Sequence, residues 1–197
     1  MSKFGTVTIK NGKYKIKGDF HTLSRSVPVR DADHDWQLAG ITHPRAITHI
    51  HAYGGEAVFF ESLSRGRLLA TRCTNPACAS TGTTYLPFRI HCPECLKKNS
   101  VVDLTDLCRE TATIYTFMVC ERSGAFNALE KPIQFINVAF SGVATILMSY
   151  LSIGTPAIGM RVIPIFKTVD PTYTITDLSW VAKGTPPHLL PEGFSFA

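Results

Sequence analysis

Four cysteines near the middle of the chain fall in two close pairs, Cys73-Thr-Asn-Pro-Ala-Cys78 and Cys92-Pro-Glu-Cys95. Two knuckles of this kind fold toward each other and set four thiolates at the corners of a tetrahedron, the geometry Zn²⁺ prefers. Between them, Thr83-Thr84-Tyr85-Leu86-Pro87-Phe88-Arg89 has the strand character needed to carry the chain across. The spacing predicts a structural zinc site on Cys73, Cys78, Cys92 and Cys95, within a ribbon over 73–99. A disulfide framework is the competing reading. Met1-Ser2-Lys3-Phe4-Gly5 leads into alternating polar sequence and not into an apolar run. That predicts a cytoplasmic chain, where thiols stay reduced and metal binding wins. His91 precedes the second pair as a spare ligand or a hydrogen-bonding neighbour. Cys108 and Cys120 stand apart in strand-like sequence and read as small buried hydrophobes.

The formal charge of +5 invites a nucleic-acid reading, and its distribution opposes one. Residues 1–30 hold seven Lys or Arg and a single acid, Asp19, for +6; everything from Asp31 onward sums to −1. The basicity belongs to an N-terminal arm over 1–50. That arm opens with Thr6-Val-Thr-Ile-Lys10, then Asn11-Gly12, then Lys13-Tyr-Lys-Ile-Lys17. Asn-Gly between alternating runs predicts a hairpin, because both turn positions must accept positive φ. Val7, Ile9, Tyr14 and Ile16 would share one face, and lysines would fill most of the other, as a solvated surface or a landing strip for an anion.

Asp31-Ala-Asp33-His-Asp35-Trp36 imitates the start of a calcium loop. Trp36 stands where that loop needs glycine and Thr42 where it needs a bidentate glutamate, which excludes calcium. His43, His49 and His51 have no carboxylate or cysteine beside them to complete a metal site, and read as surface or interface histidines. From about Gly55 to Thr71 an apolar stripe of Val58, Phe59, Leu63, Leu68 and Leu69 predicts a helix leading into the first knuckle, a docking helix within 51–72. Gly66 weakens its last turn and allows a stop near Arg65.

Beyond the ribbon, Thr111–Cys120, Ile133–Phe140, Ala144–Leu151 and Met160–Lys167 read as strands, with Ser141-Gly142 as a tight joint. With Ser100–Leu107 ahead and Tyr173–Val181 behind, the chain is expected to be mainly β. Five or six antiparallel strands over 100–181 predict a closed barrel of the OB type. No charge occurs between Lys131 and Arg161. Asn137, Ser141-Gly142, Ser149, Ser152, Gly154 and Pro156 interrupt that stretch, which opposes a membrane span. Two strands buried on both faces, one toward the barrel and one toward another chain, account for it. Residues 182–197, with Pro186, Pro187 and Pro191, predict an extended tail whose Leu189, Leu190, Phe194 and Phe196 could tuck against a partner.

A Gly-rich phosphate loop, a Gly-x-Ser-x-Gly elbow and an HExxH helix are all missing, and neither spare cysteine has a histidine nearby in sequence. No catalytic residue is assigned. Phe59-Phe60-Glu61-Ser-Leu63-Ser-Arg-Gly66-Arg67-Leu68, Arg72-Cys73, Leu86-Pro87-Phe88-Arg89, Cys92-Pro-Glu-Cys95 and Ile158-Gly159-Met160-Arg161-Val162 follow one another in an order that resembles one family. This is the rubredoxin-like zinc-ribbon plus OB-fold family of acyl-CoA-associated proteins, a domain of unknown function. The resemblance covers roughly residues 50–170. The family usually has two residues inside the first cysteine pair where this chain has four, and the N-terminal arm has no counterpart in its pattern.

The resemblance implies a small subunit of an acyl-CoA thiolase complex, with the catalytic cysteine and histidines on a thiolase-fold partner. It also implies CoA or acyl-CoA at or near the interface. Other members pair with related aldolases, and one group serves thiolysis of aromatic acyl-CoA esters such as 2-benzoylsuccinyl-CoA. Arg122 and Lys131, which flank the Ser123-Gly124 loop, are the barrel cations expected nearest a CoA. A single-stranded nucleic-acid module needs a positive groove with stacking aromatics, whereas Val101–Val181 carries five bases against seven acids. Rubredoxin-like electron transfer through iron is the remaining alternative and predicts a coloured protein.

Overall fold

A computed structural model describes residues 6–17, 26–43, 49–51, 55–122, 124–126 and 128–196. The chain divides into two compact units, Met1–Glu61 and Ser62–Ala197.

The first unit holds one five-stranded sheet, in the order β2-β1-β3-β4-β5. Its strands are β1 (Thr6–Lys10), β2 (Lys13–Lys17), β3 (Pro28–Asp31), β4 (Gln37–His43) and β5 (His49–His51). Asn11 and Gly12 close β1 onto β2 with φ of 51° and 65°, as the Asn-Gly pair demands. The register sets Val7 opposite Ile16 and Ile9 opposite Tyr14, so Lys10, Lys13 and Lys15 share the other face. The arm is thus two strands of a larger sheet. β1 runs parallel to β3, and Val29 and Ile41 of β3 and β4 are fully buried. The calcium-like segment is the β3–β4 turn, where Asp31 accepts the Asp33 N–H at 2.9 Å and pairs with His34 at 3.0 Å. Helix α1 (Ala57–Leu63) buries Ala57 and Phe59, and Glu61 forms an ion pair with Arg30.

The helix expected from about Gly55 to Thr71, with Gly66 allowing a stop near Arg65, ends at Leu63. Gly66, at φ 69°, takes the left-handed conformation that ends it, and the Ser62 carbonyl accepts from Arg65 N and Arg67 N, both at 3.0 Å. Leu69–Arg72 is a strand, β6, because it lies between two others in the order β7-β6-β8, with β7 at Thr84–Tyr85 and β8 at Ser100–Asp103. Sheet pairing overrides the local apolar stripe. Ser100–Leu107 is likewise not a barrel strand. β8 belongs to the ribbon and gives way at once to helix α2 (Thr105–Thr111), so Cys108 is buried in a helix and not in a strand. Asp103 marks that switch, accepting from Thr105 N at 2.9 Å.

Five strands then build the barrel: β9 (Thr113–Cys120), β10 (Ile133–Ala139), β11 (Leu147–Tyr150), β12 (Val162–Lys167) and β13 (Leu178–Ala182). β10 pairs antiparallel with β9 and β11, and β12 with β13. A parallel bridge, Leu151 to Trp180, joins β11 to β13, and an antiparallel bridge, Thr113 to Arg161, joins β9 to β12. The order therefore closes as 9-10-11-13-12-9, a five-stranded OB-type barrel. Ile114, Ile136, Val138, Leu147, Ile165, Phe166, Leu178 and Trp180 are almost wholly buried.

Residues 182–197 contain regular structure after all. Pro187–Leu189 forms a 3₁₀ turn, and β14 (Phe194–Ser195) pairs with β12. The prolines exclude a helix but leave a two-residue strand free to form. Gly193 permits the approach: at φ 80°, a Cβ there would meet the Val169 carbonyl at 3.0 Å. No helix of the described residues is long and apolar enough to cross a membrane.

Asp177, wholly buried, organises the turn into β13 by accepting from Thr172 N at 2.9 Å, Thr172 Oγ1 at 2.7 Å and Tyr173 N at 2.6 Å. Asp177→Ala leaves two partly buried N–H groups without their acceptor, a loss of about 2 kcal/mol. The thermal midpoint should fall by roughly 6 °C, read by circular dichroism.

Candidate metal centre

The ribbon brings Cys73, Cys78, Cys92 and Cys95 together with all four Sγ atoms within 4.8 Å of one another. Cys73 Sγ lies 3.9 Å from Cys95 Sγ, and Cys78 Sγ 3.9 Å from Cys92 Sγ. A tetrahedron with metal–sulfur bonds of about 2.3 Å has edges of about 3.8 Å, whereas a disulfide requires about 2.0 Å. The four residues therefore fit one metal ion and are free thiols. His91, exposed and bridged to Lys98, is outside the ligand group.

Each knuckle is tied by its own backbone. In the first, Cys78 N donates to Asn75 O at 3.0 Å, Gly82 N to Cys73 O at 2.8 Å and Cys73 N to Thr83 O at 3.0 Å. The two extra residues of this loop are held by the Thr81 hydroxyl, which donates to the Asn75 carbonyl. In the second, Cys92 N donates to Lys97 O at 2.9 Å and Leu96 N to Cys92 O at 3.0 Å. That tight turn forces Leu96 to φ 58°, a left-handed position that a Cβ disfavours.

The electrostatics favour a cation at the centre. N–H groups of Cys95 and Glu94 hold the Cys92 thiol down to about 6 against desolvation. Asn75 and the Lys97 N–H lower Cys95. The Ser80 N–H, 3.3 Å from Cys78 Sγ, favours that thiolate, but desolvation and the other three sulfurs outweigh it and push Cys78 up to about 12. Cys73 is raised too: its hydrogen bond at Asn75 is outweighed by desolvation and by Cys92. Four negative charges this close ionise together only around positive charge.

The ribbon is pinned to the barrel through the β10–β11 loop. Ala144 N donates to Thr84 O at 2.9 Å, and the Thr145 hydroxyl accepts from Leu86 N at 2.8 Å while donating to Leu86 O at 2.7 Å. Tyr85 packs on Cys73 and Cys92, with its hydroxyl 3.9 Å from Cys92 Sγ.

Of the other residues singled out from sequence, Cys108 is buried and its thiol is pushed up to about 12 by desolvation and by the charge of Asp103. Cys120 packs partly buried against Phe126, Ile133, Phe135 and Tyr150. Arg122 and Lys131 are both exposed. Lys131 lines a cleft of about 390 Å³ with Gln134, Tyr150, Ser152 and Phe194, and Arg122 is not among its walls. The Gln134 side-chain oxygen Oε1 is buried without a hydrogen-bond partner, while its main-chain carbonyl accepts from Leu151 N at 2.9 Å. Sequence reasoning missed this cleft as a whole because its walls come from three separate segments, although two of its residues, Lys131 and Phe194, were singled out individually.

No family model matches the chain, and no curated protein does. Among solved structures it is similar to a DUF35-family protein of unknown function from Sulfolobus solfataricus. That match has 18% identity and a TM-score of 0.47, over 68% of this chain and 90% of the other. It is also similar to the Ltp2-ChsH2(DUF35) aldolase, with 22% identity and a TM-score of 0.48, over 64% of this chain and 93% of that one.

Cys92→Ser should abolish binding of one metal equivalent per chain, read by elemental analysis, and lower stability by about 4 kcal/mol or more. Acidification should release the metal as protons displace it from the thiolates, followed by absorbance of a chromogenic chelator. Leu96→Gly should act oppositely. Leu96 is 75% exposed, so little packing is lost, and relief of the left-handed strain should raise stability by roughly 0.5–1 kcal/mol in denaturant unfolding.

Proposed function

We propose that this chain is a non-catalytic, zinc-containing subunit of an acyl-CoA thiolase complex. It supports assembly with a thiolase-fold catalytic subunit and helps bind CoA or acyl-CoA for thiolytic C–C cleavage, with an aromatic acyl-CoA such as 2-benzoylsuccinyl-CoA as the expected substrate class. The observation that carries the reading is the ribbon–barrel unit itself. Four cysteines set for one metal ion brace a ribbon fixed to an OB-type barrel, and the barrel presents bare apolar side chains on β9 and β11. Large exposed apolar patches mark interaction surfaces. The order of motifs over residues 50–170, which resembles the acyl-CoA-associated family, names the partner class.

Zinc is the expected metal, because four thiolates in a closed tetrahedral set suit a structural Zn²⁺. Bound there, zinc would staple the ribbon through Cys73, Cys78, Cys92 and Cys95. Lys131, which is exposed and lines the 390 Å³ cleft, supplies a positive charge suited to a CoA phosphate; Arg122, which does not line it, is the weaker candidate. The barrel's five bases against seven acids over Val101–Val181 disfavour single-stranded nucleic acid.

Coexpression with the protein encoded beside it tests the reading. A stable complex with a thiolase-fold chain and CoA-dependent cleavage is expected; a neighbour of another fold, or no complex, overturns it. Aldol cleavage in place of thiolysis would reassign the partner as an aldolase. In the complex, Lys131→Ala should raise KM for the acyl-CoA about fivefold with kcat little changed, the loss of roughly 1 kcal/mol.

A further inference from the structure

β9 is eight residues long, contains no charge and no proline, and lies at the edge of its three-stranded sheet. Its outer edge is covered only at its start, where Ile114 N donates to Met160 O at 2.9 Å and Gly159 N to Ile114 O at 2.8 Å. From Tyr115 to Cys120 no described residue pairs with that edge. The side chains there are bare as well: Tyr115 is 60% exposed, Phe117 39%, Met118 61% and Val119 55%. Phe117, Met118 and Val119 are consecutive, so the strand is exposed on both of its faces. A long, apolar, unpaired edge is a template for another strand. Two other described edges differ in composition: β2 carries lysines, and β8 ends on Asp103.

We propose that this open edge, Tyr115–Cys120, accepts an extended, uncharged strand from the thiolase-fold partner, which also covers the adjoining outer face of the barrel. The proposal rests on the subunit reading above. Main-chain groups along the edge call for a β-strand, and apolar side chains on both faces call for an apolar one. The patch does not end at the edge. The register aligns Thr116 with Asn137 and Asn137 with Met148, so Met118 and Met148 share the outer face, and Met148 is 55% exposed. A second copy pairing β9 with β9 would extend the sheet sideways and leave both outer faces bare. A different chain can supply the strand and, beyond it, a surface stacked on Met118 and Met148.

The test uses the full chain alone and in complex with its partner. Hydrogen exchange of the 115–120 amides should slow at least tenfold in the complex. Met118→Lys and Tyr115→Lys should each weaken association at least tenfold, with the thermal midpoint of the isolated chain and its metal content unchanged. If the complex forms but these amides exchange equally fast in both states and both variants bind as the unaltered chain does, the strand proposal is wrong while the subunit reading stands. If the isolated chain is a dimer by light scattering and Met118→Lys makes it a monomer, the occupant is a second copy and the proposal is overturned. If no thiolase-fold chain binds at all, both readings fall together.

Discussion

Repulsion among four sulfurs is the constraint on which the ribbon depends. Packed within 4.8 Å, the thiolates cannot all ionise unless positive charge lies among them. The backbone has done half of that work by turning N–H groups toward Cys92 and Cys78, from Cys95, Glu94 and Ser80. A metal ion held by the four cysteines would complete it.

The legible parts were those set by short-range chemistry. The cysteine spacing was enough to anticipate the cluster, because ligand geometry leaves few alternatives, and Asn11-Gly12 was enough for the hairpin. The barrel strands at Ile133 and Met160 announced themselves by β-branched and aromatic runs. What escaped was decided by distant partners. Leu69–Arg72 carries a helical stripe yet becomes a strand, since β7 and β8 lie on either side of it. Ser100–Leu107 reads as one strand, yet the chain turns into a helix at Thr105, whose N–H donates to the Asp103 side chain. Phe194–Ser195 becomes a strand only because β12 offers an edge. The cleft beside Lys131 shares this origin, assembled from three segments lying between Leu129 and Phe194.

The uncharged stretch between Lys131 and Arg161 has a divided fate. Ile133, Ile136, Val138 and Leu147 are buried, as a barrel requires, while Ile146 and Met148 remain open to solvent. Much of the bare apolar surface lies outside that stretch, on β9, where Glu121 and Arg122 follow at once and conceal it from a search for charge-free windows. The burial pattern of a strand depends on whether its neighbour continues alongside, and β12 accompanies β9 for only its first residues.

The Thr145 hydroxyl stands between the N–H and the carbonyl of Leu86, engaging both. One oxygen that accepts from and donates to the same residue behaves as a keyed coupling, since sliding the ribbon along the barrel by one residue breaks both bonds at once. Because Thr145 lies two residues before β11, a load applied to the knuckles is delivered straight into the barrel wall. With Ala144 N also bonded to Thr84 O, three hydrogen bonds fix the register of ribbon against barrel at that point of contact.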